Sequence, residues 1–382
     1  MTTAIQALAV VFLAGSMIYC ALVVVAARRY LRKKPPPLAN PIPISVLKPL
    51  RGLDEGLGDN LRSFLAQDYP DFEVLFGVDE PDDPARAIVE QVQKEFPQVR
   101  SKLLVTGETS YANPKVYSLE SMAAAAEHDL IVMSDSDIRV TPDMLSVIAA
   151  EFQDPNLGLV TCPYRAVAGQ SFWSRLEAIG MNTDFMSGIL VARLLEGMRF
   201  AVGPTIVARK QAIQAIGGFR RVADSYIDDF LLGRYASEAG FGVELSAYVI
   251  EHRIGSQPFA KNIRHRVMWQ RGTRCSRPSG YFGQVFTFPL PWALILLAVE
   301  PAWWPLAAAG LLFRATAAWS AAGSVLRDPL TASRWWLLPL QDVFSFLAWG
   351  AAWFGNKIMW RGRPFTLEQD GRLRPLERDG VA

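Results

Sequence analysis

Cysteine is scarce: Cys20, Cys162 and Cys275 are the only three in 382 residues. Odd in number and scattered, they offer no disulfide framework and no zinc-ligand spacing. They fit reduced thiols in a protein that faces the cytoplasm. An excess of one charge is also missing. With 39 Lys and Arg against 37 Asp and Glu the net charge is only +2, so there is no global electrostatic case for nucleic acid as a partner. No internal repeat is present. What the chain has in quantity is apolar surface: 51% of its residues are hydrophobic and 11 are Trp. That excess collects at the N-terminus and over the last third of the chain.

The run from Ile5 to Ala27 is apolar throughout and long enough, as a helix, to cross a hydrocarbon core of about 30 Å. It lacks the charged leader and short core of a cleaved signal. Arg28, Arg29, Arg32, Lys33 and Lys34 follow at once, and by the positive-inside rule they stay in the cytoplasm. Pro35, Pro36 and Pro37 then make a stiff linker. A second apolar block starts near Phe286 and reads as a membrane hairpin that turns at Glu300-Pro301. Arg327 and Arg334 flank the polar loop after it. A third block, residues 335–355, carries Gln341 and Asp342, and Lys357, Arg361 and Arg363 follow. These basic flanks cannot all face the cytoplasm if every block crosses. One block is therefore expected to be re-entrant or interfacial, with Gln341 and Asp342 buried against protein. The organisation expected is an N-terminal transmembrane helix with its basic flank (1–34), a cytoplasmic catalytic domain (43–280), C-terminal membrane helices (281–360) and a cytoplasmic tail (361–382). The chain reads as multi-pass, in a bacterial inner membrane.

Between residues 43 and 280 the pattern alternates. ISVLKPL, FEVLFGVDE, SKLLVTG, LIVMSDSDI and LGLVTCPY read as strands. LGDNLRSFLAQD, PARAIVEQVQKEF, KVYSLESMAAAAEH and MLSVIAAEFQD read as helices. Such alternation predicts an α/β domain with a mostly parallel sheet. Ligands bind such sheets at the carboxyl ends of the strands.

Two acid clusters fall at those ends. Asp135 and Asp137, two residues apart after the buried run LIVM, can share a hard divalent cation, Mg²⁺ or Mn²⁺, that neutralises a diphosphate; a solvated acidic turn is the alternative. Asp79, Glu80, Asp82 and Asp83 follow FGV. A carboxylate there can accept the imide N–H of uracil, or simply sit at a helix start. Asp228 and Asp229 open an amphipathic helix, as caps or with one of them as a general base. Lys48 and Lys115 are surface lysines or phosphate contacts. His252 is a third metal ligand or a satisfied structural histidine. The basic stretch from Lys261 to Arg277, around Trp269, faces lipid headgroups or steadies a leaving diphosphate.

In this order, SVLKPLRG, DDPA, NPK, SDSDIRV, DDF and a basic Trp-containing segment, the chain resembles the ceramide glucosyltransferase family. Within it, the chain looks most similar to the bacterial hopanoid-biosynthesis-associated glycosyltransferases. The resemblance covers roughly residues 1 to 325. It implies a GT-A nucleotide-sugar domain and inverting transfer of glucose or N-acetylglucosamine from a UDP-sugar to a lipid hydroxyl. The acceptor it suggests is a hopanoid such as bacteriohopanetetrol, with ceramide as the alternative. It assigns Asp83 to the nucleotide, Asp135 to the metal and diphosphate, and Asp229 to the base. The family's closing Gln/Arg-x-x-Arg-Trp motif is matched by His265 to Trp269, with Met268 in the arginine position. That departure leaves Arg266 or Arg271 to compensate. A processive synthase would need more membrane helices and that arginine. A catalytically inactive nucleotide-binding scaffold would not need Asp83, Asp135, Asp137 and Asp229 together.

Overall fold

The structure is a computed structural model that describes residues 2–360 and 363–376. Arg361 and the end of the tail lie outside the described residues. The chain forms two compact units, and neither is continuous in sequence. One, mostly helical, takes the residues up to Lys33, Arg165–Gly197 and Ser256–Met359. The other, α/β, takes Lys34–Tyr164, Met198–Gly255 and the residues from Trp360 on.

The α/β unit is built on seven strands. They are β1 (Ile44–Leu50), β2 (Phe72–Val78), β3 (Arg100–Val105), β4 (Leu130–Ser134), β6 (Leu157–Thr161), β8 (Thr205–Arg209) and β9 (Gly242–Leu245), in the order β3-β2-β1-β4-β8-β6-β9. Every residue of β2 and β4 is buried, which is why they read as near-continuous apolar runs, broken in β2 only by the buried Glu73, and not as alternating ones. The sheet is parallel from β3 to β4 and again between β6 and β9. It is mixed, because β8 runs antiparallel to both β4 and β6. TIVAR is a short apolar run of the kind whose direction no periodicity reveals. Antiparallel β8 has a consequence for the site: its first residue, Thr205, pairs with the last residue of β4, Ser134, so the Gly203-Pro204 approach to β8 borders the acids after β4. A short strand, β5 (Ile138–Arg139), pairs antiparallel with β10 (Ile250–Ile254) and sets His252 opposite Ile138.

In the helical unit, Thr2–Leu31 is one helix of 30 residues. Ala9 and Leu13 on it pack with Ala293, Leu296 and Ala307. Gly310 lets Leu13 in, because a Cβ there would stand 2.6 Å from its Cδ1. Small residues at such contacts allow close helix approach without polar groups. The expected turn at Glu300 is present between helices Pro289–Val299 and Trp304–Ala318, with Glu300 accepting from the Ala302 amide. Among the described residues, Thr2–Leu31 alone is a single helix long and apolar enough to cross a membrane. The pair Pro278–Thr287 and Pro289–Val299, bent by 54°, passes the same test only if taken as one span. Gln341 and Asp342 are buried, at 1% and 3% exposure. Asp342 accepts from both Nε and Nη2 of Arg314, which also reaches Asp184 at 2.5 Å.

Candidate active site

The acids after β4 are held by main-chain and side-chain contacts from several directions. The Asp135 amide donates to the Pro204 carbonyl at 3.0 Å. The Asp135 carbonyl accepts from the ammonium of Lys48, which also lies 3.4 Å from Ser134 Oγ and 3.9 Å above the Phe64 ring. Ser136 Oγ donates to Asp54 at 2.5 Å, and the Ser136 carbonyl accepts from Asn60 at 3.1 Å. The Asp137 carbonyl receives the Arg253 amide at 2.7 Å. This turn is braced from β1, β8 and β10, so its carboxylates have a fixed direction.

Lys115 pairs with Asp135 Oδ1. Burial works to lower the lysine's pKa, but Asp135, joined by Asp228 and Asp229, outweighs it and the net shift is upward. Lys115 therefore stays charged and links the acids after β4 to those opening the Asp228–Glu238 helix. Asn113 caps the lysine's own helix: its side chain accepts from the Lys115 amide and donates to Asp228 Oδ1 and to the Ser225 carbonyl. NPK thus does two things: it starts a helix, with Pro114 in the first turn, and it fixes the Asp228 loop.

Asp229 is pushed up to about 7, by burial first and by the Asp228 carboxylate next. Such a value suits a group that takes a proton near neutral pH. Two glycines allow its placement. A Cβ on Gly203 would stand 3.0 Å from Asp229 Oδ2, and a Cβ on Gly233, one turn further along the helix, would stand 2.3 Å from the Ala201 amide nitrogen. The helix therefore lies directly on the 200–203 backbone. Gly203 borders Asp229 while its neighbour Pro204 holds Asp135. Neither glycine is singled out by the sequence patterns; only the close packing reveals them.

The remaining expected site residues are arranged differently. Lys48 is no surface lysine: it is fully buried, and burial lowers its pKa to about 7 despite Asp135, Asp137 and Asp54. Its ammonium is engaged with the Asp135 carbonyl and is not exposed to a phosphate. Asp83 accepts the Gly52 amide with both oxygens, at 3.1 and 3.0 Å, and the Ala85 amide at 2.8 Å. It ties the loop after β1 to the start of the Ala85–Glu95 helix. Arg266, Trp269 and Arg271 belong to the helical unit. Arg266 is buried and bonded to Asn262 and Gln341. Trp269 packs on His265, which pairs with Glu177 at 2.9 Å. Arg271 donates to the Lys357 and Phe354 carbonyls. With Arg274 it satisfies carbonyls past the end of the Leu338–Ala352 helix.

For a cation, the fit rests on Asp137. His252 Nε2 holds Asp137 Oδ2 at 3.0 Å, while Oδ1 is buried without a hydrogen-bond partner. Burial works to raise this carboxyl, but His252, then Lys48 and Lys115, outweighs it and keeps the pKa below the usual range. An ionised, half-satisfied buried oxygen beside Asp135 suits a hard cation. His252 is not brought into a three-residue ligand set with Asp135 and Asp137. Among the described residues, the one group of three close enough to share an ion is Glu73, Glu127 and His128. It lies at the opposite strand ends, and Lys102 and Arg100 already neutralise it. A surface cavity is also there, lined by Asp68–Phe72 and by Gln98–Arg100.

Strand order and acid placement are those of a GT-A-like glycosyltransferase fold. The mannosyltransferase PcManGT from Pyrobaculum calidifontis, in complex with GDP-Man and Mn²⁺, shares the fold. Its TM-score is 0.55 at 17% identity, over 90% of this chain and 98% of that one. The profile of Glycosyl transferase family 21 matches residues 8–373, and the chain belongs to that family. Among curated relatives, ceramide glucosyltransferase 1 of Caenorhabditis elegans is 29% identical over 207 residues, covering 54% of this chain and 44% of the relative. The β-monoglucosyldiacylglycerol synthase of Synechocystis is 23% identical over 242 residues, covering 62% and 48%. The chain thus spans less than half the length of these relatives.

Proposed function

We propose that the chain is an inverting hexosyltransferase that moves glucose or N-acetylglucosamine from a UDP-sugar to a hydroxyl of a membrane lipid. The observation that carries the reading is Asp229: a buried carboxylate raised to about 7, linked through Lys115 to the acids after β4. One basic group and one in-line displacement give inversion. The acceptor hydroxyl passes its proton to Asp229 and its oxygen bonds to the anomeric carbon. The bond from that carbon to the diphosphate breaks, and UDP leaves with the electron pair. General-base assistance contributes about 10²–10⁴-fold. Asp135 and Asp137 would hold the divalent cation, which when bound offsets diphosphate charge. Lys115 adds a fixed positive charge beside them. Asp83 shapes the nucleotide edge by fixing the loop at Gly52.

The lipid acceptor is supported by the relatives, whose names specify ceramide and diacylglycerol. It is supported too by the helical unit. Leu8, Val11, Ile18, Trp304, Leu312 and Trp335 are each more than half exposed, and an apolar surface of that kind belongs in a bilayer. On this reading the helical unit is embedded and the α/β unit is cytoplasmic, on the side of Arg28–Lys34. Among lipids we favour a polyhydroxylated hopanoid such as bacteriohopanetetrol, because His265 and Met268 depart from the ceramide enzymes' motif.

The test is incubation of the purified protein with UDP-glucose or UDP-N-acetylglucosamine and a host lipid extract, with the product identified by mass spectrometry. A glycosylated hopanoid is the expected product. Glucosylceramide or glucosyldiacylglycerol would overturn the acceptor. Absence of UDP release with every donor would overturn the transferase reading in favour of a nucleotide-binding scaffold.

A further inference from the structure

The tail after the last helix is part of the α/β unit. Strands β12 (Arg363–Leu367) and β13 (Leu373–Pro375) pair antiparallel, and the turn between them closes on the segment that leads into Asp228. The Tyr226 amide donates to the Gly371 carbonyl at 2.9 Å, and the Leu373 amide donates to the Asp224 carbonyl at 2.7 Å. Ser225 and Arg372 form an antiparallel bridge. Gly371 has φ +81°, and a Cβ there would stand 2.4 Å from Ile227 Cγ1. Ile227 is the residue before Asp228. The same segment is held elsewhere by the NPK loop: the Asn113 amide donates to the Ala223 carbonyl, the Ala112 amide to Asp224, and the Asn113 side chain to the Ser225 carbonyl. Residues 223–228 thus lie clamped between the loop that carries Lys115 and the C-terminal hairpin.

We propose that this hairpin is a positioning element of the active site, with Gly371 seating Ile227 and so fixing the Asp228-Asp229 pair; this rests on the reading of Asp229 as base. Without the clamp the loop would have only the Asn113 side and would lose the register in which Asp229 meets Gly203. The hairpin also constrains topology. Residues following Lys34 and residues 363–376 belong to one compact unit, so they lie on one side of the membrane. The chain between them therefore crosses an even number of times.

The test uses the full-length protein and Gly371→Ala. A displaced base lowers kcat by about 100-fold while KM for the UDP-sugar stays within about twofold. Ile227→Ala added to Gly371→Ala removes the clash but not the strain of an alanine at φ +81°, so only part of the loss is expected to return. Wild-type-like turnover in the single variant would overturn the proposal. Should Gly371→Ala fail to fold, amide exchange in the wild type decides. Tyr226 and Leu373 are expected to be protected alike, and fast exchange at either would sink the clamp. That readout needs no turnover, so it separates failure of the clamp from failure of the transferase reading. Labelling offers an independent check in a Cys275→Ser background, where Cys20 and Cys162 are buried. Arg374→Cys and Glu90→Cys are expected to react from the same side of the membrane. Reaction from opposite sides would overturn both the clamp and the even count.

Discussion

At the scale of single residues, the site depends on carboxylates kept in different states. Asp137 is ionised beside His252, whereas Asp229 is raised to about 7. A base must be deprotonated to act, so kcat is expected to rise as pH passes through about 7 and to level off above it. A pH–rate profile flat between pH 5 and 8 would exclude Asp229. The same shift has a stability signature of known sign. A carboxyl whose folded pKa is raised favours folding fully below its unfolded value, roughly 3.9, and that contribution is lost as pH rises through about 7. Asp229→Asn should therefore leave melting unchanged at pH 4 and raise the melting temperature at pH 8, while abolishing transfer and sparing UDP-sugar binding. An ordinary helix cap would instead be nearly indifferent to this substitution at both pH values, because Asn caps a helix about as well as Asp. Lys48→Met is expected to keep UDP binding weakly and to lose turnover, because the Asp135 carbonyl then lacks its partner. Turnover equal to wild type would show that Lys48 only fills space.

At the scale of elements, β8 and the Asp228–Glu238 helix decide where the acids meet. β8 runs against its neighbours, so its N-terminal approach lies at the carboxyl end of β4. Gly203 and Pro204 then serve Asp229 and Asp135 from adjacent residues. Gly203→Ala presses on the Asp229 carboxylate and is expected to lower kcat with little change in KM for the donor, as steady-state kinetics would record. Most elements bordering the site were legible from pattern alone. ISVLKPL, FEVLFGV and LIVMS are largely apolar runs of strand length, the last two ended by acids, and burial on both faces makes them apolar. The direction of TIVAR was not legible, because a five-residue buried strand looks the same read either way. Residues 165–197 were not legible as part of a helical unit either. Asp184 gives no local sign that its partner, Arg314, lies 130 residues away.

At the scale of the molecule, buried charge holds the helical unit together. Arg314 serves both Asp184 and Asp342. Removing it leaves Asp342 buried and Asp184 partly exposed without their counter-charge, which costs about 3–5 kcal/mol for a buried pair. Arg314→Leu is expected to lower the melting temperature in detergent sharply. Arg314→Met with Asp184→Asn and Asp342→Leu should recover most of it, since an apolar replacement of a buried ionic cluster is tolerated.

The sequence by itself determined the class of element along most of the α/β unit, the N-terminal apolar helix, and the residue types able to do the chemistry. Those follow from local periodicity and from acids placed after apolar runs. Tertiary structure alone decided which of these residues keep their reactive atoms available. Lys48, Arg266 and Arg271 were candidates by charge, yet each is bonded inside the protein to groups distant in sequence. Gly203, Gly233 and Gly371 carry no chemistry and were invisible in the pattern. Their importance lies in the space a missing Cβ leaves for another segment, and no local rule encodes that.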